Sequence, residues 1–434
     1  MEMEKVKQYL LDFQKRSFSD VLARGLKLPD GKKIQSVLGA RRVGKTYLLF
    51  SKIKQLESGG VKREQILYLN FENPVLSNAL NSQIRDIVQA HLSLFAKQTD
   101  KRLYLFIDEP QVIEKWEMAV RSLHDEFDCS IFITGSSSKL LSKEIATSLR
   151  GRSITTLLLP LSFQEFLVFR GFGQDATRLD TSSKAQLENL LDEYIQYGGY
   201  PEVILEANKE TKLRILKDYY DMTIFKDLVD RYAIKNTILI KWLANYVAST
   251  STKGISLNKI YNTLKSEGHK LSKDTLYEYL SMLQDCFFVF TVRRFDPSLK
   301  NEGSTTPKIY LDDVGFLSLF SESDLGKRLE NIVFLQLVRQ KAKDPLMDLH
   351  YWKKVDGSEV DFLITRGRKP VAAIQAAWSL ADLATRGRET DALLSCMDAL
   401  GLNEGLIVTR HEEAEKKING KKIQIVPLWK WLLQ

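Results

Sequence analysis

Cysteine is scarce in this chain. Three thiols, Cys129, Cys286 and Cys396, are scattered over 434 residues, each in an apolar neighbourhood. An odd, dispersed set forms neither a disulfide framework nor a zinc site, and reads as buried structural thiols. Histidine is almost as sparse: His91, His124, His269, His350 and His411 have no H-x-x-x-H or C-x-x-C companion, so the usual sequence signs of a metal cage are lacking. No apolar run approaches the ~20 residues that span a bilayer, and no membrane partner is expected. The start, Met1-Glu-Met-Glu-Lys-Val-Lys7, is too charged for the apolar region of a secretory signal; a cytoplasmic location follows as the expectation. Internal repeats and low-complexity tails are lacking too. With 44% hydrophobic and 27% charged residues, the composition is that of a soluble globular protein, and the length implies two to four domains at roughly 100–200 residues each. The net charge of +8 permits nucleic-acid or acidic partners without requiring them, since basic residues spread over a surface give the same total.

What is present begins with an alternation of strand and helix from about 33 to 160. Lys33 to Leu38 alternates apolar and polar residues, and apolar runs follow at Gln65 to Phe71, Leu103 to Ile107, Ser130 to Thr134 and Ser153 to Leu159, with helical stretches such as Ser82 to Ala96 and Trp116 to Phe127 between them. This pattern predicts a parallel sheet with helices on both faces. From about 161 to 235 the pattern is helical, broken at Gly198-Gly-Tyr-Pro201. Three short helices follow, with helix-turn-helix spacing at Ser256 to Leu264 and Ser272 to Leu283, and then an apolar strand, Phe287 to Val292. The polar stretch Pro297 to Pro307 predicts a loop, and Lys308 opens a second α/β region that runs to the end.

One motif carries chemistry outright. Residues Gly39, Ala40, Arg41, Arg42, Val43, Gly44, Lys45 and Thr46 read G-x-x-x-x-G-K-[ST], the phosphate-binding loop (Walker A) of nucleoside-triphosphatases. A strand precedes the loop and a helix opening at Tyr47 follows it, so backbone N–H groups and a helix N-terminus meet where phosphate oxygens would sit. These residues, with Tyr47, form the expected ATP-binding set. Lys45 is suited to neutralise β/γ-phosphate charge, and Thr46 to ligate Mg²⁺. The run Leu103-Tyr-Leu-Phe-Ile-Asp108-Glu109 ends a buried strand in paired carboxylates (Walker B) at the edge where ligands bind in such sheets. Asp108 is the second expected Mg²⁺ residue, and Glu109 is the group expected to orient or deprotonate the attacking water. Thr134-Gly-Ser136-Ser137 ends the next strand, and Ser136 or Ser137 is the candidate to touch the γ-phosphate or the water; ordinary turn chemistry explains the same letters. Leu149-Arg-Gly-Arg152 supplies guanidinium groups, of which Arg152 is the candidate for stabilising transition-state charge in its own or a neighbouring subunit. Arg41 and Arg42 are weaker candidates, with Glu72 as an ion-pair mate.

Taken in order, Gly39 to Thr46, Asn70-Phe-Glu72, Asp108-Glu-Pro-Gln111 with Trp116, Thr134-Gly-Ser136, Gly151-Arg152, Pro160-Leu-Ser-Phe-x-Glu-Phe166, Gly198-Gly-Tyr-Pro-Glu202, Asp227-Leu-Val-Asp-Arg231 and Tyr310-Leu-Asp-Asp-Val-Gly315 resemble a prokaryotic AAA-type ATPase family. Its members join an ATPase core to a winged-helix region and a C-terminal domain of restriction-endonuclease-like, PD-(D/E)XK, fold. The resemblance implies an α/β protein: a P-loop (AAA/ASCE-type) parallel-sheet core over 1–160, a helical lid over 161–235, a winged helix over 236–300 and an α/β nuclease-like domain over 308–434. It implies an ATP hydrolase doing conformational work with ATP and Mg²⁺.

Partners are less legible. Within 253–294, Lys253, Lys259, Lys265, Lys270, Lys273, Arg293 and Arg294 outnumber Glu267, Asp274, Glu278 and Asp285, which is compatible with a recognition helix on DNA. Tyr277, Tyr279 and Leu280 crowd the same helix with apolar bulk, so packing against protein stands equally open. In the last region, Glu330, Asp361 and Gln375 fall in the order that, in the nuclease core, converges on Mg²⁺, but Ala377 stands where that pattern has lysine. Lys353 and Lys354 are the nearby substitutes. Losing one such stabilising group costs about 10²–10³ in rate, and the expected reading is a degenerate, non-cleaving fold used for binding or packing. Trp352, Trp378, Trp429 and Trp431 read as core or interface aromatics. An ATP-switched scaffold with little turnover and an ATP-gated DNA endonuclease are the alternatives. The client, the oligomeric state, and whether Arg152 acts within its own subunit are not readable.

Overall fold

The computed structural model describes residues 2–95, 101–137, 149, 151–173, 179–298, 302–303, 305–320 and 324–434. They divide into two compact units, Met1–Leu158 and Leu159–Gln434. Among the described residues no helix is long and apolar enough to cross a membrane, and all three cysteines are free and buried.

The first unit is built on strands β1 (Ile34–Leu38), β2 (Ile66–Asn70), β3 (Leu103–Asp108), β4 (Cys129–Gly135) and β5 (Ser153–Leu157), in the order β2-β3-β4-β1-β5. Every pairing is parallel. Strands β1 and β4 are buried along their whole length, as strands covered on both faces are, and on β1 that burial takes in the polar Gln35 and Ser36. Helices α1 (Met3–Gln14), α2 (Lys45–Ser58), α3 (Asn81–Leu94) and α4 (Trp116–Glu126) pack around the sheet. Strand β4 lies between β1 and β3, so residues at its carboxyl end stand between the loop leaving β1 and the acids ending β3.

The second unit opens with helices. Helix α5 (Phe163–Phe169) begins in a capping box: Ser162 Oγ accepts from Glu165 N (3.2 Å) while Glu165 Oε2 accepts from Ser162 N (2.9 Å), which explains the Ser-x-x-Glu spacing. Helices α6 (Thr181–Tyr197), α7 (Pro201–Leu205) and α8 (Lys209–Met222) follow, the last running on as a π-helical segment, Thr223–Asp230. Then come α9 (Thr237–Ser249), α10 (Leu257–Ser266) and α11 (Lys273–Asp285). The apolar strand expected from Phe287 is β6 (Val289–Arg294), and it pairs antiparallel with β7 (Lys308–Leu311).

Strand β6 also pairs with β8 (Met347–Lys353), and so joins an eight-stranded sheet of order β12-β13-β11-β10-β9-β8-β6-β7. Its other members are β9 (Glu359–Arg366), β10 (Lys369–Ala376), β11 (Glu404–Thr409), β12 (Ala414–Ile418) and β13 (Lys421–Pro427), with helices α12 (Leu325–Lys343), α13 (Leu383–Leu400) and α14 (Leu428–Leu432). Trp352, Leu363, Ala377, Leu393, Met397 and Ile407 belong to one buried apolar cluster. Arg410, only 1% exposed, donates to Glu188 and to Asp192 (2.7 Å) and thereby ties the strand end of β11 to α6.

Asp312 and Asp313, just after β7, are both buried. Asp313 holds the backbone N–H groups of Gly199 and Gly315 (2.7 Å each), and Asp312 accepts from the Tyr200 hydroxyl (2.7 Å). Burial pushes Asp313 up to about 7, and burial together with Asp313 raises Asp312 well above the usual carboxylate range. The folded chain therefore binds more protons here than the unfolded chain, and stability declines as pH rises from the ordinary carboxylate value through about 7. Replacement of Asp312 by its neutral isostere, Asp312→Asn, is expected to flatten that decline and raise the melting temperature at pH 8 relative to the parent chain. Thermal melts of both proteins between pH 5 and pH 8 check this; identical slopes would remove Asp312 as the source.

Candidate functional site

The phosphate loop leaves β1 and enters α2 through backbone conformations that its glycines permit. A Cβ on Gly39 would fall closer than 3.0 Å to the Leu158 carbonyl oxygen, and Gly44 caps α2 at φ 94°. Both positions are in effect reserved for glycine. The loop thus presents amides at the start of a 14-residue helix, whose positive end favours an anion.

Lys45 is buried and its ammonium is shared among Gly39 O (3.1 Å), Ala40 O (3.0 Å) and Glu109 Oε1 (3.3 Å). Thr46 Oγ1 donates to Asp108 Oδ2 at 2.7 Å, which brings the two expected Mg²⁺ residues together. Asp108 also accepts from the hydroxyls of Tyr68 (2.8 Å) and Thr134. Burial raises its carboxyl, against the Thr134, Thr46 and Tyr68 donors. Glu109 sits in the left-handed region at φ 52°, an uncommon state for a side-chain-bearing residue that persists where surrounding contacts enforce it. Those contacts are present: Glu109 N donates to Thr134 Oγ1 (3.2 Å), Ser136 N donates to Glu109 Oε2 (3.1 Å), and Gln111 donates to the same oxygen. Burial would raise the Glu109 carboxyl, but Lys45, Gln111, Arg41 and Ser136 outweigh it and hold it below its ordinary value. It is therefore ionised at neutral pH.

The residues fit a triphosphate and its Mg²⁺: a loop whose two end glycines have no room or conformation for a side chain, a buried lysine, and a hydroxyl and a carboxylate in contact beside it. Ser136 is buried within this set and engages Glu109 through its backbone amide, a role that the letters Thr-Gly-Ser did not reveal. Tyr68 and Gln111 were also missed; Tyr68 hides in the apolar alternation of β2. Arg41 pairs with Glu72 at 2.8 Å, as its position in the loop suggested.

For Arg152, a role at the loop of its own chain does not hold. It immediately precedes β5, whose first residue, Ser153, pairs with Ile34 at the start of β1, while the loop leaves the other end of β1. At ~3.3 Å per residue, four residue steps put about 13 Å of strand between them. Arg152 instead forms a two-point contact with Asp125, at 3.0 and 3.2 Å. It does not reach the phosphate cradle of its own chain. Arg150 lies outside the described residues.

In the second unit, Glu330 on α12, Asp361 on β9 and Gln375 on β10 do converge, but around a residue that sequence reasoning passed over. Lys308 Nζ lies 2.9 Å from Asp361 Oδ1, 3.2 Å from Glu330 Oε1 and 2.7 Å from Glu359 Oε1. Burial and Asp361 raise the Glu330 carboxyl, against Lys308 and the Tyr310 hydroxyl, while Asp361, Tyr310, Glu330 and Glu359 hold Lys308 charged despite its burial. Lys353 and Lys354, the substitutes suggested by position, pair instead with Glu359 (2.7 Å) and Asp356 (3.1 Å). Ala377 is part of the apolar cluster, so a lysine there would be driven into the core. The only sign of Lys308 in the sequence is a charge at the head of an apolar strand.

The parallel sheet, the loop and the paired acids define a P-loop α/β protein of AAA type, and an AAA-domain profile matches residues 31–167. Two further profiles, each of a domain of unknown function, match 188–325 and 325–431. An uncharacterized protein of Methanocaldococcus jannaschii is 38% identical over 408 residues, covering 92% of this chain and 88% of the relative. An uncharacterized protein of Haemophilus influenzae is 30% identical over 422 residues, covering 96% and 98%. The chain belongs to the family that these proteins share, with the AAA domain at its N-terminal end. Among solved structures, the Aeropyrum pernix ORC1 protein in complex with DNA aligns over 76% of this chain and 94% of that chain, at 12% identity and a TM-score of 0.30; likeness of that degree carries no functional argument.

Proposed function

We propose that this chain binds and hydrolyses ATP with Mg²⁺, and that the cycle drives conformational work on a DNA or protein partner. The observation that carries the reading is the 2.7 Å contact of Thr46 with Asp108 beside the buried Lys45–Glu109 pair, the juxtaposition that phosphoanhydride hydrolysis calls for. Thr46 and Asp108 would hold Mg²⁺, which when bound supplies charge neutralisation at the phosphates. Lys45 is the group that meets β/γ-phosphate charge; as its ammonium turns to phosphate it leaves Glu109 Oε1. The ionised Glu109 is then able to orient the attacking water and accept its proton. Before nucleotide arrives, the same pair keeps the base occupied, so that binding and activation are linked through one ammonium group. Steady-state and single-turnover ATPase measurements test the reading. ATP bound with turnover indistinguishable from buffer would replace it with the ATP-switched scaffold.

The region of α10 and α11 supports DNA as the partner. Lys265 and Lys273 are exposed and both approach the Tyr261 ring, at 5.8 and 5.5 Å from its centroid. Tyr277 is 53% exposed, whereas Tyr279 and Leu280 are buried in the unit, so the apolar bulk of α11 is largely internal packing. In this winged-helix reading, Lys265→Glu with Lys273→Glu weakens duplex binding regardless of sequence and lowers the log–log salt slope by about 1–2, since each phosphate contact contributes ~0.9. Fluorescence anisotropy on a salt series measures it. Duplex binding unchanged by the pair of reversals would favour a protein partner.

A further inference from the structure

The nuclease-like order of Glu330, Asp361 and Gln375 implies a divalent ion at their meeting point, and the residues found there do not fit one. A hard divalent ion such as Mg²⁺ takes oxygen lone pairs directed at a common centre, at about 2.1 Å. Here the common centre faces an ammonium. Lys308 has three N–H donors, and three carboxylates stand within reach of them: Asp361 at 2.9 Å, Glu330 at 3.2 Å and Glu359 at 2.7 Å.

Several of the acceptor oxygens have further partners. Asp361 Oδ2 accepts from the Ala376 amide (3.1 Å), Glu330 Oε1 also accepts from the Tyr310 hydroxyl (2.9 Å), and Gln375 Oε1 accepts from Asp361 N (3.1 Å). Lys308 is only 3% exposed, so its ammonium is fixed by burial as well as by charge. It arrives from β7, while the expected lysine position, two residues beyond Gln375 at the end of β10, is filled by Ala377 in the apolar cluster. The cation has therefore entered from another strand and lies among the ligand oxygens, where an ion would have to sit.

We propose that Lys308 is the resident cation of the C-terminal unit: its ammonium takes the place of a divalent ion among Glu330, Glu359 and Asp361, and ties β7, α12 and β9 together. The inference concerns this cluster alone and does not rest on the ATPase reading.

Titration of the full-length chain with Mn²⁺ in the absence of nucleotide, followed by the electron paramagnetic resonance signal of the free ion, tests it. The parent chain and Asp361→Asn are expected to give the same isotherm. Lys308→Met is expected to gain an Mn²⁺ site that Lys308→Met with Asp361→Asn loses. Lys308→Gln, which keeps a polar group in the cluster, serves the same comparison if the methionine variant fails to fold by circular dichroism. An Mn²⁺ site in the parent chain that Asp361→Asn abolishes would overturn the proposal. So would a folded Lys308 variant that gains no site.

Discussion

Glu109→Gln is expected to hold ATP with nearly the parent affinity while turnover falls by about 10²–10⁴, the range contributed by a positioned general base. The split follows from geometry. The glutamine side chain keeps the shape that Ser136 N and Gln111 contact, and Lys45, though it loses its ion pair with Glu109, keeps the Gly39 and Ala40 carbonyls that hold it in the loop. The substitution removes the negative charge and with it the oxygen able to accept a proton. Lys45→Ala should behave differently, losing nucleotide affinity along with turnover, because its ammonium is the cradle's central charge and Glu109 would be left buried without its partner. Calorimetric ATP binding measured beside steady-state turnover separates the two. A Glu109→Gln protein that turns over at the parent rate would show that the proton goes elsewhere.

The first unit was largely legible because its chemistry sits where strands end. Each of the five expected strands is found within one or two residues of its predicted bounds, since apolar runs mark β2, β3 and β4 and the loop glycines and paired acids mark the carboxyl ends of β1 and β3. Thr46 and Asp108 meet because β1 and β3 both deliver to that edge. Arg152 misled for a related reason: its letters show an arginine beside a strand but not which end of the sheet it occupies, and only the register of β5 on β1 decides that. Lys308 stayed hidden because its role depends on partners 22, 51 and 53 positions away in the chain, as the numbering of Glu330, Glu359 and Asp361 shows. Spacing on β10 showed only that the expected lysine is replaced by Ala377, and Lys353 and Lys354, named as substitutes for their closeness in sequence, pair with Glu359 and Asp356. Capping spacings such as Ser162-x-x-Glu165 were visible as letters but acquire meaning only once a helix is seen to begin there.

Gly198→Ala is expected to destabilise the second unit by about 3–5 kcal/mol, combining a backbone conformation (φ 78°, ψ −159°) essentially confined to glycine with a steric collision. Gly198 ends α6 at φ 78°, and a Cβ there would fall within 3.0 Å of the Asp313 carboxylate. Two more glycines meet at the same junction: added Cβ atoms on Gly199 and Gly315 would run into the Leu161 and Tyr197 carbonyls. Asp313 can accept both Gly199 N and Gly315 N only because the backbones approach this closely. The Gly-Gly-Tyr-Pro and Asp-Asp-Val-Gly motifs, more than 100 residues apart in sequence, are thus two halves of one joint. Gly401→Ala provides the control, since Gly401 also has a positive φ, 68°, but meets nothing within 4 Å of an added Cβ; it should cost only about 1 kcal/mol. Urea unfolding followed by tryptophan emission reports on this unit, because every tryptophan except Trp116 lies beyond Leu158. Equal losses in the two variants would assign the effect to backbone conformation alone and remove the close approach at Asp313 as the reason both motifs carry glycine.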